Sequence, residues 1–131
     1  MLNVLLVALG GGLGAASRYG VSLAAPARAA EWPWATFTIN VAGSLLIGAL
    51  AGWLATKGEA GVPWRLFLGV GVLGGFTTFS AFSLEATMLW DRAPALSIAY
   101  VAASIVLGGA LCLAGFWLFR RCPCRPRHGR G

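Results

Sequence analysis

Four apolar runs, at about residues 3–24, 34–56, 64–90 and 95–119, constrain this chain more than any other feature. Each is long enough to cross the hydrocarbon core of a bilayer as a helix. A helix meets all its backbone hydrogen bonds internally, as lipid demands, so the runs predict an all-α membrane protein of four transmembrane helices. Only 11% of the 131 residues are charged, against roughly 25% in an average soluble domain. Residues 1–131 therefore read as one transmembrane domain, closed by a basic tail at 120–131. With no aqueous domain to hold an active site, any chemistry or traffic is confined to the bilayer and its faces, and an enzyme is not expected.

A cleaved signal peptide fits the N-terminus poorly, because Met1 to Val4 carry no basic residue and Arg18 interrupts the first run. Cys112 lies in the fourth run and Cys122 and Cys124 in the tail, which is no disulfide framework. Cys122, Cys124 and His128 are too few for a closed metal site, so the tail is read as solvated.

With four spans, both termini share one side of the membrane. Lys57, Arg65, Arg120, Arg121, Arg125, Arg127 and Arg130 lie on that side, against Arg28 and Arg92 on the other. This bias predicts a multi-pass protein with cytoplasmic termini. Trp32, Trp34, Trp64 and Trp90 mark span ends, where indoles sit at the headgroup level. Net charge is +6, and half of the ten basic residues lie in the tail beside the bilayer, so anionic lipid is the expected partner rather than nucleic acid.

Within the first span, Gly10 to Gly14 offers small residues at four-residue spacing that let helices approach closely. Gly10, Gly12 and Ala15 also fit a G-x-G-x-x-A dinucleotide fingerprint, but three further apolar spans follow instead of a soluble βαβ unit. The second span begins at Pro33 and carries Thr36, Asn40 and Ser44 on one face. A buried amide is costly unless its donors and acceptors are met, so this stripe must face protein, water or a solute. Thr36 and Ser44 are ordinary helix-to-helix contacts, whereas Asn40 is the candidate solute contact. The fourth span repeats the pattern with Ser97, Tyr100, Ser104 and Gly108.

Gly74-Gly75 and Thr77-Thr78 put weak helix formers in the middle of the third span, which predicts a helix broken near its middle. Unwound carbonyls at membrane depth can coordinate a cation. Beyond the break, Phe79 and Phe82 share a face, with hydroxyls of Thr78, Ser80 and Ser83 nearby. Ring edges carry the positive part of the aromatic quadrupole, so edges and hydroxyls together suit a small anion that must also be released. Glu85 is the only acid well inside a span, and Arg18 or a helix of another subunit is its expected partner, as a structural pair or a proton carrier.

These marks together resemble the Fluc (CrcB-type) fluoride ion channel family across all four spans. The resemblance rests on Gly10 to Tyr19 with Arg18, Pro33 to Asn40 with Gly43 and Gly48, and Gly74-Gly-Phe-Thr-Thr-Phe-Ser-Ala-Phe82. It implies an antiparallel, dual-topology-type dimer with two fluoride pores and a central structural sodium ion that is not transported. It assigns sodium to main-chain carbonyls of Gly74 and Thr77, and the fluoride pore to Asn40, Phe79, Phe82, Thr36, Ser80 and Ser104. Ala35 stands where a glycine is usual, Ala81 where a threonine is, and Gly108 where a track hydroxyl is expected. The resemblance leaves open a dimer with itself or with a homologous second subunit; a chain inserting both ways should lack topological bias, so the bias seen here points to a second subunit of opposite orientation. The resemblance implies a bacterial-type plasma (inner) membrane and passive export of cytoplasmic fluoride across it, which lowers its toxicity. The rival readings are a proton-coupled small multidrug exporter, for which the first span lacks the buried carboxylate, and a non-conducting partner subunit.

Overall fold

A computed structural model describes residues 1–25 and 32–120, and among them four helical stretches are long and apolar enough to cross a membrane. Helix α1 covers Leu2–Ala24, α2 covers Trp34–Leu54 and α6 covers Pro94–Arg120. Between α2 and α6, the third span, Gly58–Arg92, is composite and runs for 35 residues. It opens with a 3-10 turn at Gly58–Gly61 and a short α3, Val62–Trp64, then adopts π geometry over Arg65–Leu73. It returns to α form in α4, Gly74–Phe76, and resumes as α5, Phe79–Arg92. Its start precedes the expected residue 64 because Pro63 sits in the first turn of α3, where a missing N–H costs nothing. Arg28 and the tail with Cys122, Cys124 and His128 lie outside the described residues.

α1 packs along the π segment and α4, and α2 packs along α6. α5 leaves the α1 side and packs on α6, so the third span changes neighbours where it changes conformation. Glycines make both seams. A Cβ on Gly10 would strike the Phe67 carbonyl, one on Gly14 the Val72 carbonyl, and one on Gly75 the backbone of Gly11. On the α2–α6 seam, Gly48 abuts the Cys112 carbonyl, Gly52 that of Phe116, and Gly115 that of Leu45. Lipid removes the hydrophobic drive between helices, so this close approach, with its dispersion and Cα–H···O contacts, supplies the adhesion. Gly10 and Gly14 are buried packing positions inside α1, and no strand occurs among the described residues, so the dinucleotide fingerprint is set aside.

Among the described residues few apolar side chains are buried: Ile39, Leu89 and Tyr100 form the core. Leu, Val and Ile residues of all four spans instead face outward, as hydrocarbon allows. Gly48→Val should cost about 1–3 kcal/mol through overpacking of the α2–α6 seam. Gly12, which has nothing within 4 Å of its missing Cβ, should accept alanine within about 0.5 kcal/mol. Thermal unfolding of both variants in detergent checks the contrast.

Candidate functional site

The glycine pair is not where the third span opens. Gly74 is helical at φ −64, ψ −36, and the extended residues are Thr77 at φ −75, ψ 155 and Thr78 at φ −149, ψ 118. Gly75 serves instead as a contact on α1. The opening is held by Asn40 on α2, whose Oδ1 accepts the Thr78 N–H at 2.9 Å while its Nδ2 donates to the Thr78 carbonyl at 2.9 Å. Thr78, buried, caps α5 by accepting the Ala81 N–H on its Oγ1 at 3.3 Å.

The carbonyls of Gly74 to Thr77 lose their helical donors at the break, and two of those donors are taken up by side chains. In a continuous helix the Thr78 N–H would bond Gly74 and the Ala81 N–H would bond Thr77. Here those donors go to Asn40 Oδ1 and Thr78 Oγ1, which releases the Gly74 and Thr77 carbonyls. Gly74 is exposed and Thr77 half-buried, and both line a groove of about 440 Å³.

The same groove gathers Asn40, Ser44, Phe79, Phe82 and Ser104 from α2, α5 and α6. One Asn40 amide hydrogen bonds Thr78, which leaves the second available to the groove. Phe79 and Phe82 lie 5.8 Å apart, and Phe82 continues onto the Tyr100 ring at 5.2 Å. Ser104 Oγ is buried without a partner, an orphaned donor on the groove wall. Ser44 donates back to the Asn40 carbonyl at 2.8 Å and offers only its oxygen outward. Gly108 faces that hydroxyl, since a Cβ there would stand 3.3 Å from Ser44 Oγ. Ser80 sits exposed at the start of α5 with Oγ 3.4 Å from Thr78 Oγ1.

Beside the groove lies a polar knot that the sequence did not reveal. Thr36 donates to Glu85 Oε1 at 2.7 Å and the Tyr100 hydroxyl donates to Glu85 Oε2 at 3.1 Å. Ser97 donates to the Ala86 carbonyl at 2.7 Å, tying α6 to α5 one residue further on. Glu85 is therefore engaged by two hydroxyls, not by Arg18, which stands half-buried on α1, the helix across the bundle. Thr36 is spent on that carboxylate and does not line the groove. Only the i, i+3, i+7 stripe of α6 hinted at Tyr100. The edge-to-face stack of Trp32 on Tyr100, at 5.5 Å and 87°, carried no sequence signal.

The profile of the family described as CrcB-like protein, Camphor Resistance (CrcB), matches residues 5–116. A fluoride-specific ion channel FluC of Hyphomonas neptunium is 52% identical over 124 residues, covering 92% of this chain and 98% of the relative. One from a Caulobacter species is 50% identical over 124 residues, with 92% and 97% covered. A protein named fluoride-specific ion channel FluC 2, of Nitrobacter hamburgensis, is 48% identical over 121 residues, with 91% and 98% covered.

Asn40→Ala removes both bonds to Thr78 and strands its buried N–H, which should destabilise the fold by about 1–3 kcal/mol. Ser104→Ala loses no bond within the chain and should leave stability within about 0.5 kcal/mol. Parallel unfolding curves in detergent check the pair.

Proposed function

The chain belongs to the CrcB-like protein family, and on that premise we propose that it is a fluoride-specific ion channel through which cytoplasmic fluoride leaves the cell. The relatives' names describe an ion channel and no enzyme. The observation that carries the reading is the groove lined by Asn40 with one amide hydrogen unspent, the Phe79 and Phe82 rings, and Ser104, whose buried hydroxyl has no partner within the chain. A dehydrated anion needs hydrogen donors and positive ring edges there, and it needs them weak enough to let go. The N-terminus of α5, which opens at Phe79, adds the positive end of a helix dipole.

Each side chain then has a task. Asn40 and Ser104 donate to fluoride, Phe79 and Phe82 present ring edges and exclude bulk water, and Ser80 receives the ion at the α5 end. Thr36 acts on the pathway through Glu85, whose carboxylate it and Tyr100 hold in place. A carboxylate so engaged is a poor proton carrier, which argues against proton-coupled export. The driving force needs no nucleotide. Hydrogen fluoride crosses membranes as a neutral acid, dissociates in the more alkaline cytoplasm and is trapped as the anion, which an inside-negative potential of about 100 mV pushes outward by about 2.3 kcal/mol.

The released Gly74 and Thr77 carbonyls suit a hard monovalent cation, and a structural sodium ion held by them would neutralise converging dipoles at the break. The proposed assembly is an antiparallel dimer whose second copy supplies the other half of that ligand set. The protein is a multi-pass membrane protein, its family likeness favours the plasma (inner) membrane, and its basic bias favours both termini cytoplasmic. The same bias favours a homologous second subunit of opposite orientation as the partner. Full fluoride flux from this chain reconstituted alone would refute that pairing.

Liposomes holding the assembled dimer should release fluoride and retain chloride. Phe82→Ala should slow release by about tenfold or more, the effect of about 1.4 kcal/mol on the permeation barrier. Exchange of sodium for a large organic cation should lower flux by dissociating the dimer. Equal chloride release, or fluoride release that stops without a proton gradient, would overturn the reading.

A further inference from the structure

The groove continues past the residues assigned above. Ile47 and Gly69 line both it and a second cavity of about 430 Å³, which runs between α2 and the π segment to Leu54, Gly58 and Val62. Among the residues lining the two cavities, Arg65 alone carries a charge. Its stem lies along the cavity wall, with Cγ 4.0 Å from where a Gly69 Cβ would stand, and the residue is exposed.

The other described cations at this end are turned elsewhere. Lys57 Nζ lies over the Trp53 ring at 5.1 Å, and the Arg120 guanidinium lies over Phe116 and Trp117 at 5.5 and 5.4 Å. Glu59, in the adjoining 3-10 turn, is not among the lining residues.

We propose that Arg65 is an anion-capture residue, which concentrates fluoride at the mouth of the groove without touching the ion in its narrow part. The inference rests on the channel reading. Apolar walls of low dielectric focus the field of a single cation at their rim, and such focusing raises on-rates by about 10- to 1,000-fold in favourable clefts. Beside Asn40 and Phe82 the same cation would hold the ion too firmly for release, so its place at the far end lets it speed capture without trapping. Capture by a rim charge fades with salt, because the Debye length falls from about 10 Å at 0.1 M to about 3 Å at 1 M.

Fluoride release from liposomes by the wild-type protein, Arg65→Gln, Arg65→Lys and Arg120→Gln, measured over a range of fluoride and of inert salt, tests this. Arg65→Gln should cut flux about 3- to 10-fold at low fluoride and low salt, with the loss closing as either is raised. Arg65→Lys should keep most of the flux, and Arg120→Gln, which removes one charge away from the groove, should match the wild type. A loss of the same factor at every fluoride and salt concentration, an equal loss in Arg120→Gln, or no loss in Arg65→Gln would overturn the proposal. Liposomes holding the assembled wild-type dimer that release no fluoride would overturn the channel reading itself.

Discussion

The two hydrogen bonds between the Asn40 amide and the backbone of Thr78 are what the rest of the site depends on. Extended backbone at membrane depth is tolerated only where its polar groups are satisfied, and one side chain here satisfies the N–H and the C=O of the same residue. By capturing the Thr78 N–H, Asn40 also denies it to Gly74, so the contact that secures the opening releases the carbonyl beside it. The Thr78 hydroxyl does likewise one step later, when it takes the Ala81 N–H and starts α5. Structural support and exposed ligands therefore arise from the same redistribution of donors.

That clamp needs helices closer together than ordinary side chains permit. One turn beyond Asn40, a Cβ on Gly43 would collide with the Thr77 methyl, so glycine there lets the extended segment lie against α2. Gly48 and Gly52 hold α2 on α6, and Gly10, Gly14 and Gly75 hold α1 on the third span. A rigid frame of two glycine seams thus positions a broken element that has little apolar burial of its own. The same closeness places Ser44 against Gly108, where a larger residue would crowd the hydroxyl that Ser44 gives to Asn40.

Features with a period were legible in the sequence. The four spans followed from apolar length, the Thr36-Asn40-Ser44 stripe from i, i+4 spacing and the Ser97-Tyr100-Ser104 stripe from i, i+3, i+7 spacing. Contacts between distant residues were not. Thr36 and Glu85 are 49 positions apart, and nothing in either helix's pattern says that a hydroxyl will answer the carboxylate where an arginine was expected. The opening was legible only to within a few residues. Low helix propensity at Gly74-Gly75 is a weak preference that tertiary contact overrides, and Gly75 is there for the backbone of Gly11. The extended residues are Thr77 and Thr78 because Asn40 reaches the second of them.

A single chain leaves its groove without an outer wall. Phe79 is 79% exposed, Gly74 is exposed, and the buried core among the described residues amounts to Ile39, Leu89 and Tyr100. Lipid cannot close a space whose lining includes an unpartnered hydroxyl and released carbonyls, because hydrocarbon would leave each of them unsatisfied. A second subunit laid across the break, as in the proposed dimer, would resolve this, and an antiparallel one would bring break against break so that two carbonyl sets faced one cation. Seven basic residues against two oppose random insertion of this chain, however, and the break itself carries no charge that could set orientation. Sequence at the helix ends and geometry at the centre are therefore independent requirements. A homologous partner with the reverse charge bias satisfies both, since it keeps the uncharged centre and alters only the ends.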